Sequence, residues 1–185
     1  MKNQIRKEMK KKRRSMELSE VAEKGQKAAE LFLNCEIYKS AQTIMLYMPL
    51  GNETDTSEII KKAFCDGKRL VLPVTDEESG KITPYVFEEA TELEKGGFSV
   101  VEPKHALLAK QSEIDAVIVP GIAFDQRGAR VGFGKGCYDM FLSGMETVKI
   151  GFCYDFQICV EIPSDAHDVK MDFIVTKNRI IACRE

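Results

Sequence analysis

The chain has 185 residues, of which 44% are hydrophobic and 30% are charged, and its formal net charge is −2. This length and apolar fraction are typical of a single domain, residues 1–185, with a core of its own. The balanced charge argues against a dedicated nucleic-acid binder, and no apolar run is long enough for a signal peptide or a bilayer span.

The six cysteines include no Cys-x-x-Cys pair, which disfavours a zinc ribbon and a thioredoxin-type redox site. Several lie in apolar segments, where cysteine behaves as a small hydrophobic residue. Without a secretory signal, we interpret them as free thiols in a reducing compartment and expect a cytoplasmic protein.

Two helices are predicted at the start of the chain. Residues 2–16 are helix-prone and strongly basic, and a second helix is expected from about Ser19, its N-cap, to Cys35. The basic stretch has three interpretations: a solvated helix face, a nucleic-acid-binding surface, or cations that fold back onto bound phosphates. The residues alone leave all three open.

A strand–helix–strand unit follows. Thr43–Met48 is a short apolar run closed by Pro49, which is typical of a buried parallel strand. A helix over Ser57–Cys65 is expected after the N-cap Asp55, and Arg69–Thr75 is the next strand. Such a crossover predicts parallel, right-handed pairing.

The alternation continues along the chain. Lys81–Phe87 predicts a weaker strand, and Thr83–Pro103, which contains Gly96-Gly97, is expected to be irregular. Three further strands are predicted at Ile114–Pro120, Val148–Tyr154 and Met171–Thr176. Alternating elements of this kind imply a layered α/β sheet.

The segment after the strand Ile114–Pro120 carries the clearest functional signal. Four glycines and two cations alternate within nine residues: Gly128, Arg130, Gly132, Gly134, Lys135 and Gly136. Glycine lets backbone N–H groups approach an anion closely, and fixed cations balance phosphate charge. Asp125 and Asp139 flank the segment, where a carboxylate can hold magnesium. Since ligands of α/β sheets bind beyond the carboxyl ends of strands, the pattern predicts a polyphosphate site.

Two familiar phosphate motifs do not fit this segment. A Walker loop requires glycine at position 129, which is Ala129, and serine or threonine at position 136, which is Gly136. A dinucleotide fingerprint requires glycine where Cys137 stands. A mobile surface loop is the alternative, but flexible linkers favour Ser and Gly over interleaved Arg, Lys and Asp.

Other polar groups also follow predicted strands. Glu53 is either a surface carboxylate or a hydrogen-bond acceptor for a polar ring substrate. Asp155 and Gln157 are typical of helix caps and turns. His167 beside Asp168 suggests a base or a metal ligand, although a polar loop residue is the plainer interpretation. No serine or cysteine stands out as a partnered nucleophile.

Residues 120–139 read Pro-Gly-x-Ala-Phe-Asp-x-x-Gly-x-Arg-x-Gly-x-Gly-Lys-Gly-x-Tyr-Asp. This pattern resembles that of the 5-formyltetrahydrofolate cyclo-ligases, also called methenyltetrahydrofolate synthetases. Weaker segments agree in order over essentially the full length: Lys2-x-x-x-Arg6, the turn from Tyr47 to Glu53, and Asp155 through His167-Asp168 to Asp172. The resemblance implies an α/β fold with three α/β/α layers and a mostly parallel central sheet.

The resemblance also implies a reaction. ATP, with Mg²⁺, phosphorylates the formyl oxygen of 5-formyltetrahydrofolate, the neighbouring anilino nitrogen attacks the activated carbon, and phosphate leaves. The products are 5,10-methenyltetrahydrofolate, ADP and phosphate. The expected partners are therefore these small molecules, without nucleic acid or membrane, and the expected protein is a monomer or a dimer.

Residue roles follow from the same resemblance. Lys2 and Arg6 would contact the ATP phosphates, and Asp139 and Asp168 would bind Mg²⁺ directly or through water. The nucleotide loop would comprise Arg130, Val131, Gly132, Phe133, Gly134, Lys135, Gly136, Cys137 and Tyr138. Of these, Lys135, Arg130 and Tyr138 would be catalytic, with Lys135 nearest the transferring phosphate.

The folate is expected to contact Glu53, through its pterin ring, with Met48 as a neighbour. The loop residues bordering it would be Phe133, Gly134, Lys135, Gly136 and Cys137. Cys137 stands where the family commonly has an aromatic residue, and Phe133 occupies a variable site, so the shape of the folate pocket is the least transferable part. Two alternatives are RNA binding through residues 2–14 and a different ATP-dependent enzyme with the same loop.

Overall fold

A computed structural model describes residues 1–104 and 106–183. Its helices are α1 (Lys2–Arg14), α2 (Leu18–Asn34), α3 (Glu36–Ser40), α4 (Ser57–Cys65) and α5 (Cys137–Leu142). Its strands are β1 (Thr43–Met45), β2 (Arg69–Thr75), β3 (Ile82–Phe87), β4 (Leu93–Lys95), β5 (Val101–Pro103), β6 (Ala116–Val119), β7 (Ala123–Asp125), β8 (Arg130–Val131), β9 (Val148–Phe152), β10 (Ile158–Cys159), β11 (Phe173–Val175) and β12 (Ile180–Ala182).

The main sheet has seven strands in the order β12-β11-β9-β6-β1-β2-β3. Its five inner strands run parallel, and β12 and β3 pair antiparallel at the two edges. The prediction of a mostly parallel α/β sheet is therefore confirmed. A smaller sheet, β10-β7-β8, and a hairpin, β4-β5, complete the strand pairing of the described residues.

Side-chain alternation along the parallel strands divides the core into two faces. Ile44 belongs to a cluster with α2, α3 and α4, whereas the next residue, Met45, belongs to a cluster with α5 and Phe124 of β7. The sheet thus lies between two outer layers, as predicted. Helix α1 packs separately, through Met9 and Ile5, against the small sheet. Across the described part of the chain, no helix has the length and apolarity needed to cross a bilayer.

Several predicted boundaries differ from the structure. Strand β1 ends at Met45, although the Leu46 N–H still donates to the Val71 carbonyl at 3.0 Å. Helix α2 has Glu17 rather than Ser19 at its N-cap, and the N-cap of α4 is Thr56, although Asp55 accepts a hydrogen bond from the Ser57 N–H. The first helix ends at Arg14 rather than at residue 16.

The prediction of an irregular stretch over 83–103 is wrong in part. Most of β3 and the whole β4-β5 hairpin lie there. The three residues of β4 are all exposed, so the hairpin lacks the apolar pattern by which strands are recognised.

Strand direction brings the expected site together. Because β1, β6 and β9 are parallel, their carboxyl ends lie at one edge of the sheet. Glu53 lies beyond β1, the glycine-rich segment follows β6 through β7 and β8, and Tyr154 lies beyond β9. The Tyr154 hydroxyl donates to the Glu53 carbonyl at 3.1 Å, across 101 positions of sequence.

Candidate functional site

The loop between β8 and α5 requires glycine for steric reasons. Gly134 has φ +118° and Gly136 has φ +68°, conformations that other residues adopt only with strain. At Gly132 a Cβ atom would lie 2.8 Å from a guanidinium nitrogen of Arg130. The backbone of the loop is thus exposed beside the charged Arg130 side chain. Exposed N–H groups next to a cation favour the binding of an anion.

Helix α1 lies along this loop. Lys2 Nζ is 2.6 Å from Asp168 Oδ2 and 2.9 Å from Asp165 Oδ2, and Arg6 Nε donates to the Gly132 carbonyl at 2.8 Å. Residues four apart share a helix face, so both side chains point the same way. The structure brings Lys2 and Arg6 to the glycine-rich loop, which favours the last of the three interpretations of the basic stretch.

Arg130 and Asp139 form a largely buried ion pair beneath the loop. Arg130 Nη2 is 2.9 Å from Asp139 Oδ2, and the Arg130 side chain is 5% exposed. The other Asp139 oxygen accepts the Val169 N–H at 3.1 Å. Arg130 Nε is buried without a hydrogen-bond partner among the described residues. A buried unpaired donor is costly.

A polar cavity of about 770 Å³ opens above this pair. Its lining includes Lys2, Arg6, Arg130, Gly132, Gly134, Lys135, Gly136, Asp139 and Asp168. Within it, one ligand atom from each of Asp165, His167 and Asp168 falls within 4.8 Å of the others. Partial burial raises the pKa of Asp168, but hydrogen bonds from the Asp165 N–H and Lys2 outweigh burial and lower it overall. An ionised carboxylate suits Mg²⁺.

Asp125, the other carboxylate beside the segment, does not face the cavity. It is buried and accepts backbone N–H groups from Arg127, Ala129 and Ile162. Its carboxylate therefore organises the turn between β7 and β8, and magnesium binding by Asp125, which its position suggested, has no support.

A second, mainly apolar cavity of about 210 Å³ lies on the other side of the loop. Its lining includes Tyr47, Met48, Leu50, Glu53, Phe98, Val100, Arg130, Gly132, Phe133, Lys135, Gly136, Cys137, Tyr138 and Asp139. Five residues line both cavities: Arg130, Gly132, Lys135, Gly136 and Asp139. The loop is therefore the shared wall between a charged space and an apolar one.

Lys135 spans the mouth of the apolar cavity. Its Nζ donates to the Glu77 carbonyl at 2.7 Å and lies 4.6 Å from the centre of the Phe98 ring. Phe98 sits on the turn before β5 with φ +54°. Phe98 was not predicted from the sequence. The adjacent Gly96-Gly97 indicated a turn, but not that the aromatic ring of Phe98 would line the cavity.

Glu53 is one of two buried carboxylates that line the apolar cavity, the other being Glu102, and each is 7% exposed. The Oε2 of Glu53 accepts the Leu50 N–H at 2.9 Å, and its Oε1 lies 3.6 Å from Arg13 Nη2. Burial raises the pKa of Glu53, whereas the Leu50 N–H and Arg13 oppose that rise. Arg13 was not predicted, because it stands within a run of five consecutive cations, residues 10–14.

The turn that carries Glu53 is fixed by hydrogen bonds. The Tyr47 hydroxyl donates to the Thr54 carbonyl and the Thr56 hydroxyl to the Tyr47 carbonyl, both at 2.8 Å. Burial raises the pKa of Tyr154 to about 12, so its hydroxyl stays a donor to the Glu53 carbonyl at neutral pH. The Glu53 side chain therefore stands on a turn that is held in place before any ligand arrives.

The remaining predicted residues have mixed placements. Met48, Cys137 and Tyr138 line the apolar cavity, whereas the Val131 side chain is buried with Met9 and Ile122, away from both cavities. Gln157 accepts the Tyr154 N–H and donates to the carbonyls of residues 121 and 122. It has the structural role that its sequence context suggests.

Comparison with known proteins agrees with this architecture. The model of the 5-formyltetrahydrofolate cyclo-ligase family matches residues 1–177. The 5-formyltetrahydrofolate cyclo-ligase of Escherichia coli K12 is 28% identical over 174 residues, covering 91% of this chain and 96% of that protein. The probable 5-formyltetrahydrofolate cyclo-ligase of Schizosaccharomyces pombe is 30% identical over 161 residues, covering 78% and 79% respectively. The NMR structure of Aquifex aeolicus 5,10-methenyltetrahydrofolate synthetase has a TM-score of 0.87 at 30% identity, covering 100% of this chain and 93% of that one.

Proposed function

The chain belongs to the 5-formyltetrahydrofolate cyclo-ligase family of ligases, and we propose that it converts 5-formyltetrahydrofolate and ATP, with Mg²⁺, into 5,10-methenyltetrahydrofolate, ADP and phosphate. One observation supports this proposal most directly. The polar and the apolar cavity share the wall formed by Arg130, Gly132, Lys135, Gly136 and Asp139. Because the two cavities adjoin at these residues, substrates bound in each would lie next to one another there, as a group transfer between them requires.

The chemistry needs a leaving group. The formyl oxygen leaves poorly as hydroxide; once it has accepted the terminal phosphoryl group of ATP, it leaves as phosphate. The neighbouring anilino nitrogen forms the new C–N bond as the C–O bond breaks. The task of the protein is to position both substrates and stabilise charge.

The ATP phosphates would occupy the polar cavity. Backbone N–H groups around Gly132, Gly134 and Gly136, with Lys2 and Arg6, suit a polyphosphate, and the unpaired Arg130 Nε is a further donor. Asp168 and Asp139 would hold magnesium, directly or through water. When bound, the ion neutralises negative charge on the phosphates.

The folate would occupy the apolar cavity. Glu53, fixed by the turn from Tyr47, would accept hydrogen bonds from N–H groups of the pterin ring. Met48, Phe133, Cys137 and the half-buried Tyr138 supply apolar surface. Lys135, at the junction, would move from the Glu77 carbonyl to the phosphoryl group in transfer. We expect a cytoplasmic monomer or dimer acting on small molecules.

The test is one assay with purified protein, 5-formyltetrahydrofolate, ATP and Mg²⁺. The near-ultraviolet absorbance of the methenyl product should rise only when all three are present, with one ADP formed per product. ATP consumption without product would point to another ATP-dependent enzyme with the same loop. Absence of any turnover would reject the proposal.

A further inference from the structure

Glu102, the second buried carboxylate of the apolar cavity, has no part in the reaction proposed above. It lies on β5, and among the described residues no cation forms an ion pair with it. Burying a carboxylate without a cation costs free energy unless hydrogen bonds replace the lost water. The hydrogen bonds that Glu102 accepts therefore decide its role.

Those hydrogen bonds join two segments of the chain. Glu102 Oε1 accepts the Thr75 N–H at 3.1 Å, at the end of β2, and Oε2 accepts the Gly97 N–H at 3.3 Å, in the turn between β4 and β5. A Cβ atom at Gly96 would lie 1.7 Å from Glu102 Oε2, so the carboxylate fills the space that a side chain would need there. Glu102 thus bridges β2 and the turn of residues 96–99.

This turn holds a strained backbone. Phe98 has φ +54° and Ser99 has φ +61°, a left-handed conformation that residues other than glycine keep only where their surroundings impose it. The Glu102 contact fixes Gly97, directly before the strained pair. Glu77, just after β2, accepts the Phe98 N–H. Both carboxylates therefore hold the turn against the end of β2.

The strained turn places one functional side chain. The Phe98 ring lines the apolar cavity and lies 4.6 Å from Lys135 Nζ. Without the bridge, the turn could relax to the ordinary negative φ at Phe98, and the ring would leave the cavity wall.

We infer that Glu102 is a positioning residue for folate binding, which acts by holding the Phe98 ring at the wall of the apolar cavity. The inference rests on the proposed function for the identity of the ligand. Both Glu102 oxygens already accept backbone N–H groups, which favours this role over direct contact with the substrate.

The first experiment needs neither ligand nor turnover. Because the chain contains no tryptophan, the Phe98→Trp variant carries a single indole that reports the surroundings of position 98. Adding Glu102→Gln keeps the side-chain shape but replaces one accepting oxygen by an amide donor. The emission should shift to longer wavelength and become more accessible to acrylamide quenching. Unchanged emission and quenching would overturn the positioning role.

The second experiment measures calorimetric binding of 5-formyltetrahydrofolate without ATP. Glu102→Gln should weaken binding roughly tenfold, about the effect of losing one charge-assisted hydrogen bond. In the Phe98→Ala background the same substitution should have no further effect, because Glu102 acts through that ring. An equal loss in both backgrounds would overturn the inference, as would no loss in either.

The matched control is Glu94→Gln, since Glu94 lies opposite Glu102 in the β4-β5 hairpin but is exposed. It should leave fluorescence and affinity unchanged, and the same changes in the control would overturn the role of Glu102. Gly97→Ala tests the bridge independently, because its Cβ atom would lie 2.6 Å from the Thr75 carbonyl oxygen and push the turn away from β2. Its folate affinity should also fall, and wild-type affinity would contradict the inference. Wild-type protein that fails to make the methenyl product would reject the proposed function, whereas the fluorescence shift would still establish that Glu102 positions residue 98.

Discussion

The two cavities that meet at residues 132–136 are built in opposite ways. In the polar cavity, charged side chains pair with each other, as Lys2 does with Asp168, 166 positions away, and Arg130 with Asp139, nine positions away. In the apolar cavity, Glu53 is buried on a turn held by tyrosine and threonine hydroxyls. A charged ligand entering the first must exchange existing partners, whereas a ligand entering the second meets a carboxylate already oriented by the Leu50 N–H and Arg13.

This difference separates two tasks. The pairs of Lys2 with Asp165 and Asp168 are partly exposed and therefore weak, so this part of the polar cavity would rearrange readily around the phosphates and magnesium proposed to bind there. A buried acceptor held in one orientation discriminates by position, because only a ligand donor that reaches its remaining lone pairs forms a hydrogen bond with it. We therefore expect substitutions on the polar side to change rate and those on the apolar side to change affinity for the folate.

The largest effect is expected at the shared wall. Lys135→Met removes the cation nearest the junction and should lower kcat by roughly 10²–10³-fold, as loss of a transition-state donor does. The folate Kd should barely change. Product absorbance at saturating ATP and calorimetry measure the two, with Lys61→Met, an exposed position on α4, as the control. Undiminished turnover would remove Lys135 from the mechanism.

A smaller effect, confined to folate affinity, is expected from Glu53→Gln. Losing a charge-assisted hydrogen bond costs about 1.5–3 kcal/mol, which is about 10–100-fold in the folate Kd. The KM for ATP should be unchanged. Glu58→Gln, on the surface of α4, is the matched control. A comparable rise in the KM for ATP would contradict the separation of the two cavities.

The pH dependence of folate binding tests the same separation between the two cavities. Because burial raises the pKa of Glu53, wild-type affinity should fall on acidification at a pH above the ordinary glutamate value. Arg13 opposes that rise, so Arg13→Met should move the fall to higher pH. The surrounding Tyr47, Tyr138 and Tyr154 have raised pKa values and stay neutral there. Calorimetry across the acidic range should show no such fall in Glu53→Gln.

The smallest effect on stability is expected from Asp168→Asn. The Lys2–Asp168 pair is partly exposed, so the free energy of unfolding should drop by less than about 1 kcal/mol, while the Mg²⁺ concentration needed for half-maximal rate should rise. Since the folded state lowers the Asp168 pKa, this stabilisation exists above the ordinary aspartate pKa and disappears as pH falls through the folded value. Denaturant titration tests it, and Glu36→Gln, in an exposed pair on α3, is the control.

The sequence predicted the central sheet well because buried parallel strands are continuous apolar runs, as β2 and β6 are. It predicted the small elements poorly. Strands β7, β8 and β10 are two or three residues long, too short for periodicity to register. They pack against Met9 of α1 through Ala123 and Val131, a contact that no local sequence pattern indicates.

The candidate site, like the fold, was predicted only in part. The glycine loop was visible because its backbone conformation demands particular residues. The Arg13–Glu53 pair and the Phe98 wall were not, because their roles come from burial and from contacts between segments far apart in sequence. Residues whose roles depend on tertiary contacts leave little local sequence pattern. Arg13, in addition, stands among neighbours that carry the same charge.

Helix α1 has a further consequence for how the protein acquires activity. The hydrogen bond from Arg6 to Gly132 spans 126 positions of sequence, and the one from Lys2 to Asp168 spans 166 positions. Contacts of such separation pay a large loop-closure entropy before they stabilise anything, and they form late during folding. Secondary structure and much of the core can therefore be complete while the polar cavity is still open. In refolding, the recovery of catalysis should lag behind the recovery of helical signal.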